Sequence, residues 1–326
     1  MFGQRGLFLY TIAMILILLR PASAGDEKTW KDYFDTKKPG TLDDEKRIVV
    51  AGYHCGFTIQ QGVSASIGRK TIAMNLMLGG MKKEDLQEIA DSAYAAFLVQ
   101  VKASGREVVS LEELKATKGY AKLDTTVLEP GKVFSVQYTV VQSKTYVVLS
   151  PKAIPLSFAV TEPLKDATSP TGNFKAIVAI ADELKAVVVI PLVTIDFLDL
   201  KSSGHSAGGA YSGTEYTGAS ISAAPKMSIG PATTQYLFYS PGYGFGSAYV
   251  EKDIVVEGNF GDKFAEGADA MNHFDIGSSL VSFDTGKNWA DKQVFLADPP
   301  KYKALALQAH VLAGKYFGQI MEKYKP

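Results

Sequence analysis

The sequence predicts an α/β (α+β) fold: a mixed sheet covered by amphipathic helices, with a Gly/Ser/Tyr-rich β extension and a long C-terminal helix. Three observations lead there. Leu86, Ile89, Ala90, Ala93, Tyr94, Phe97, Leu98 and Val101 recur at three- and four-residue steps, the spacing of one apolar helix face. Ala186-Val187-Val188-Val189-Ile190 is an unbroken, mostly β-branched run, which suits a strand covered on both faces. Around the first helix the order strand, helix, strand, helix is that of an α/β layer.

The chain opens on a segment with the three zones of a cleavable secretory signal. Arg5 supplies a positive start and Leu7 to Leu19 is an uncharged apolar stretch of 13 residues. Pro21 and then Ala22-Ser23-Ala24 offer a small-x-small cleavage site. Thirteen helical residues span about 20 Å, short of the roughly 30 Å hydrocarbon core, so cleavage after Ala24 is expected rather than anchoring. That places the mature chain in the periplasm or outside the cell. Residues 25–45 form a polar segment that Trp30, Tyr33 and Phe34 could dock as a short helix. Residues 46–326 are expected as one α/β domain with a β-rich insertion at 202–250.

Within that domain, Ile48 to Ala51 is a short strand, extended by Phe57 to Gln61, and Lys70 to Leu78 is another, closed by Gly79-Gly80. Glu84 and Asp85 suit the first turn of the long helix, and Gly105 stands where a left-handed cap is wanted. Arg106 to Val109 is a strand, and Ser110-Leu111-Glu112-Glu113 offers a capping box to a brief helix. Val133–Val141 and Thr145–Leu149 make a hairpin turning at Gln142-Ser143-Lys144. Prolines 151, 155, 163 and 170 punctuate a loop region. A second amphipathic helix holds Phe174, Ile177, Val178, Ala181 and Leu184; the buried run follows, resuming at Val193–Leu198 after Pro191. Thr217–Ile229, Thr233–Tyr239, Asp253–Glu257, Leu280–Phe283 and Val294–Leu296 are further strands. The final helix carries the stripe Leu305, Ala309, Leu312, Ala313, Tyr316, Ile320 and Tyr324.

Charge and chemistry narrow the function by what they leave out. The 34 basic and 34 acidic residues cancel and no Lys/Arg block stands out, so nucleic acid is not an expected partner. Cys55 is the only cysteine, which forbids an internal disulfide; a small buried hydrophobe is the expected role, against an intermolecular bridge or a reactive thiol. Histidines 54, 205, 273 and 310 form no HExxH and have no partner cysteines, and His273 with Asp275 is a thin metal motif, so no metal and no cofactor is expected. No G-x-S-x-G elbow occurs, and Gly242-Tyr243-Gly244-Phe245-Gly246 suits a flexible aromatic turn better than a phosphate cradle. No catalytic residue is nominated.

Residues 202–250 change character. Their 49 positions hold two charges, Glu215 and Lys226, against nine glycines, nine serines and six tyrosines. Exposed or edge strands with long loops are one reading. A hairpin given to an oligomeric membrane barrel is another, although Ser220, Ser222 and Ser228 interrupt a clean apolar face. As a binding surface, the segment nominates Tyr211, Tyr216, Tyr236, Tyr239, Tyr243, Phe245 and Tyr249.

The run Arg47-Ile48-Val49-Val50, the helix Leu86–Val101, then Gly105-Arg106-Glu107-Val108-Val109 and Leu111-Glu112-Glu113-Leu114 resemble the start of CsgG-like envelope proteins. Ala181–Val188 is similar to the helix-to-strand step of that group. Ser282-Phe283-Asp284-Thr285-Gly286-Lys287 is similar to its late strand and turn, before a terminal helix. The resemblance spans about half of the mature chain and implies a periplasmic α/β domain that assembles with envelope components, sometimes as a ring, with no catalytic residues. Gly25 stands where such proteins carry a lipid-bearing cysteine, and the middle region is longer and richer in proline. The expected function is therefore an exported, non-enzymatic envelope protein that binds or assembles with itself or with other periplasmic or outer-membrane components. The alternatives are an oligomeric outer-membrane pore subunit and a secreted hydrolase whose site assembles only in three dimensions.

Overall fold

A computed structural model describes residues 28–67, 70–123, 133–139, 142–154, 173–203, 220–231, 233–266 and 293–326. The leader, His205, Tyr211, Tyr216, His273, Asp275, the strand 280–283 and the turn 284–287 lie outside them.

In chain order the elements are β1 (Phe34–Lys37), β2 (Arg47–Val50), β3 (His54–Ile67), β4 (Lys70–Gly79), α1 (Lys83–Ala103), β5 (Glu107–Val108), α2 (Leu111–Lys115), α3 (Lys118–Ala121), β6 (Val133–Thr139), β7 (Gln142–Leu149), α4 (Phe174–Leu184), β8 (Ala186–Ser203), β9 (Ser220–Ile229), β10 (Gln235–Ser240), β11 (Gly244–Val250), β12 (Ile254–Val256), β13 (Lys263–Glu266), β14 (Gln293–Leu296) and α5 (Pro299–Lys323). The predicted mixed α/β fold is the one observed. Among the described residues all fourteen strands belong to one mixed sheet.

The sheet lies between two helical layers, and strand alternation sorts its side chains between them. Ile48 and Val50 of β2, with Val187, Val189, Val193 and Ile195 of β8, face the larger core under α1 and α5. Val49, Ala186, Val188 and Ile190 face the smaller core under α4 and α2. Both faces of β8 are therefore dry over Ala186–Ile190, as that β-branched run requires. Helix α4 ends on Lys185 in the left-handed conformation (φ 48°) before turning directly into β8. Helix α5 begins at Pro299-Pro300, with the Asp298 carboxylate accepting the Lys301 N–H at 3.3 Å.

Several local expectations are corrected. Ala51-Gly52-Tyr53 separates β2 from β3, so the two strands follow one another along the same edge of β8, both parallel to it. Gln142–Lys144 is strand rather than turn: it pairs with Val136–Thr139. Gly244–Val250 is strand β11, so only Gly242-Tyr243 of the aromatic glycine run lies in a turn, which Asp44 fixes by accepting the Gly242 N–H at 2.8 Å. The polar segment contributes single 3-10 turns at Trp30–Asp32 and Pro39–Asp43 and the edge strand β1, paired antiparallel with β11.

Pro191 does not break β8. The Val189 carbonyl accepts from Ala51 N–H at 3.1 Å, and strand alternation turns the Pro191 nitrogen toward the same edge. That edge is vacant there, between the end of β2 and the start of β3, so the missing donor costs no ladder bond. His54 Nδ1 donates to the Pro191 carbonyl at 3.2 Å and closes the gap.

The larger core is aromatic and holds one polar pair. Tyr236 stacks on Phe317 with centroids 4.3 Å apart, and Phe97 packs against Tyr53, Tyr236 and Phe317. Cys55 is fully buried there, and burial pushes its thiol up. His310 of α5 meets the Tyr53 hydroxyl at 3.1 Å, and burial depresses its imidazole to about 3. Near the chain end, Arg106 donates to the carbonyls of Leu42, Glu45 and Tyr324, tying the segment before β2 to the last turn of α5.

Folded His310 accepts a proton only near pH 3, whereas the imidazole of an unfolded chain does so near 6.5. Between those values the unfolded state binds the extra proton, so stability falls as pH drops from 6.5, by about 1.4 kcal/mol per pH unit. Urea unfolding at pH 6.5 and 5.0 should show the wild type losing about 2 kcal/mol more than His310→Phe. Equal losses would mean that this buried imidazole does not set the acid sensitivity.

Candidate functional site

Strand β8 changes partners along its length. Its first half lies between β2 and β10, Leu192–Ile195 pairs in parallel with β3, and Ile195–Ser203 pairs with β9. On β3, the edge that holds β8 at His54–Phe57 is taken over by β4 from Gln60 onward. The sheet therefore forks just beyond Phe57 and Ile195. One branch is β3 with β4, β6 and β7; the other, the arm, is the far half of β8 with β9. Both partners break register at this level, β3 between Thr58 and Gln60 against β7, and β8 between Asp196 and Leu198 against β9. Such bulges bend strands and raise local twist.

The fork encloses a cleft of about 220 Å³. Asp196, 3% exposed, is its hub. Its Oδ1 accepts from Thr58 Oγ1 at 2.6 Å and from the Tyr146 hydroxyl at 3.5 Å, and its Oδ2 receives the Lys144 ammonium at 2.5 Å. A buried carboxylate needs this provision, because an unpaired buried charge is far costlier than a paired one. Gln61 bridges the fork in the manner of a peptide unit: its Nε2 donates to the Leu198 carbonyl at 3.3 Å and its Oε1 accepts the Leu198 N–H at 3.0 Å. At the outer rim Lys226 lies 3.2 Å from Asp253 and 4.0 Å from Asp199.

Three carboxylates line this cleft, the feature a hydrolase of the glycosidase type would need. Each is engaged by an ammonium group: Asp196 by Lys144, Asp199 by Lys201 and Lys226, Asp253 by Lys226. Both Asp196 oxygens are occupied by donors. The arrangement suits an anchor better than an acid or base poised against a substrate. Among the described residues no cluster of three or more His, Cys, Asp or Glu stands ready to hold a metal ion. No described helix is long and apolar enough to cross a membrane, a statement that does not extend to strands.

The nominated aromatic surface divides. Tyr236 is a correction: it is fully buried in the larger core, where burial raises its hydroxyl pKa, and it has no surface to offer. Tyr239 and Phe245 pack together at 4.8 Å on the α4 side of the sheet, with Phe174 of α4 stacked 5.1 Å from Phe245. Tyr243, 61% exposed, stands on the adjoining turn. Tyr249 is half-buried on β11 and donates to Asp35 of β1, a bond that pushes its own pKa up to about 12. Three of the five described residues thus gather at one corner. The cleft residues were not nominated, yet a signal existed: Asp196 is the sole charge in Ala186–Leu198, a run otherwise fit for burial on both sides.

No protein-family model, no curated protein and no solved structure matches the chain.

A Cβ on Gly230 would lie 2.5 Å from Asp196 Oδ2, the oxygen that receives Lys144. Gly230→Ala should therefore lower stability by about 1–3 kcal/mol, the cost of forcing an extra carbon into a filled site. A urea midpoint shifted downward at unchanged slope would show it, and an unshifted midpoint would mean that the hub yields easily.

Proposed function

We propose that this chain is an exported, non-enzymatic envelope protein whose helix-covered sheet is a scaffold and whose β8–β9 arm is the element through which it assembles with itself or with envelope partners. One observation carries the reading. Strand β8 has 18 residues, about 60 Å of extended chain, and its far half runs on beyond its ladder with β3, with β9 as its partner. In sequence, the arm's two strands flank residues 204–219 of the Gly/Ser/Tyr-rich segment. Arm residues Lys201, Ser222, Ala224 and Pro225 are exposed, an edge-rich surface of the kind other chains add to. The resemblance to CsgG-like proteins and the signal-like leader support the compartment.

A pore subunit is the second reading, favoured by the register of the arm. Pairing Leu200 with Ala223 and Asp199 with Ala224 makes the faces alternate: Leu200 and Ala223 are half-buried against the core, while Lys201 and Ser222 form an exposed pair. Ser222 thus shares a face with Lys201 instead of interrupting an apolar one, the alternation that barrel strands use.

The mature chain should fractionate with the envelope and run as a particle heavier than one chain. Replacing residues 204–219 by an Asn-Gly turn should leave the fold intact, by far-UV circular dichroism and melting, and return the particle to monomer mass. Assembly that survives this replacement sinks the assignment of the arm. For the pore reading, planar-bilayer conductance is the measurement, and protein released by alkaline washing counts against it.

A further inference from the structure

We propose that Asp196 and Gln61 are positioning residues for the arm: they fix the angle at which β8 and β9 leave the sheet, and through that angle they govern assembly without lying on the assembling surface. The inference rests on the arm being the assembling element.

The backbone ladder joining β3 to β8 ends at Phe57 and Ile195, and beyond it side chains take over. Gln61 supplies the next donor and acceptor to Leu198, as though the ladder continued for one more step. Asp196 collects Thr58 of β3 with Lys144 and Tyr146 of β7 onto β8 at the position of the bulge. On one side of the arm Phe197 stacks on Phe295 and shares the larger core with Met227 and Ile229, while on the other side the branches are separated by a polar cleft. Across the cleft, hydrogen bonds and one partly buried ion pair add the directional contacts that packing lacks. Lys226, bridging Asp199 and Asp253, supports β9 from the outer side.

Leverage makes the angle matter. From Ile195 to Ser203 the arm extends about 27 Å, so a rotation of about 10° at its root displaces its end by about 5 Å, the spacing of one strand from the next. A neighbour that pairs with the arm at one root angle misses it at another.

Hydrogen exchange on the full mature chain, with native mass measured alongside, tests the proposal through Asp196→Asn and Gln61→Leu. The first keeps the shape and removes the charge, and the second removes both bonds to Leu198 without stranding a charged group. Amides of 197–201 and 222–228 should exchange about tenfold faster or more, those of 186–190 should be unchanged, and the particle should fall to monomer mass. Unchanged exchange at the root in both variants overturns the proposal. So does a loosened root in a particle of normal mass. If 186–190 also exchange faster in Asp196→Asn, the fold itself has loosened and Gln61→Leu decides. A wild type that is monomeric throughout removes the proposed function and with it the link to assembly, while the exchange comparison still decides whether these side chains hold the arm.

Discussion

An 18-residue strand at the centre of a sheet must satisfy its backbone donors and acceptors along two edges, and β8 does so with a succession of short partners. β2 and β3 follow one another on one edge, β10 and β9 on the other. Each handover is a place where the ladder lapses, and each lapse is met by a particular side chain. Proline fills the first, where no donor is wanted, and His54 closes it. The Gln61 amide fills the second. The layers, the fork and the arm all follow from the route of this one strand.

The two ends of β8 are stabilised by different physics. Its first half contributes valines and isoleucine to both cores, where close packing and water exclusion dominate and nothing polar needs provision. Its second half still packs Ile195, Phe197 and Leu198 into the larger core, but it also carries Asp196 and Asp199, which hydrogen bonds and ion pairs hold around a polar cleft. A packed core tolerates no partial motion, whereas a joint made of few directional bonds responds to the loss of any one. That difference separates a rigid scaffold from a part whose orientation can matter.

What the sequence made legible was what periodicity encodes. The stripe on α1, the two-sided burial of Ala186–Ile190 and the stripe on α5 are local patterns, and each lies in its expected element. Strands without such a pattern were not legible. β11 alternates glycine and serine with rings, and its burial is decided by β10 and β1 on either side of it. Pro191 and Gly56 resemble breaks when read alone; only the vacancy in the neighbouring edge, and the Thr194 side chain filling the place a Cβ on Gly56 would take, explain why they continue strands. Tyr236 was assigned to a surface along with the Gly/Ser/Tyr-rich segment that contains it, whereas stacking on Phe317, 81 positions later, puts it in the core. The site was least legible, since Asp196, Lys144, Thr58 and Gln61 come from three strands far apart in sequence.

Cys55 sits on β3 immediately before the fork, sealed beneath α1 and α5, and burial holds its sulfur in the thiol form. Such a sulfur reacts with an alkylating reagent only in molecules whose central strand has been uncovered. The chain therefore carries a built-in stopwatch: the rate at which a reagent in excess marks this one atom reports how often the middle of the molecule opens, with no label introduced and no competing sulfhydryl elsewhere in the polypeptide.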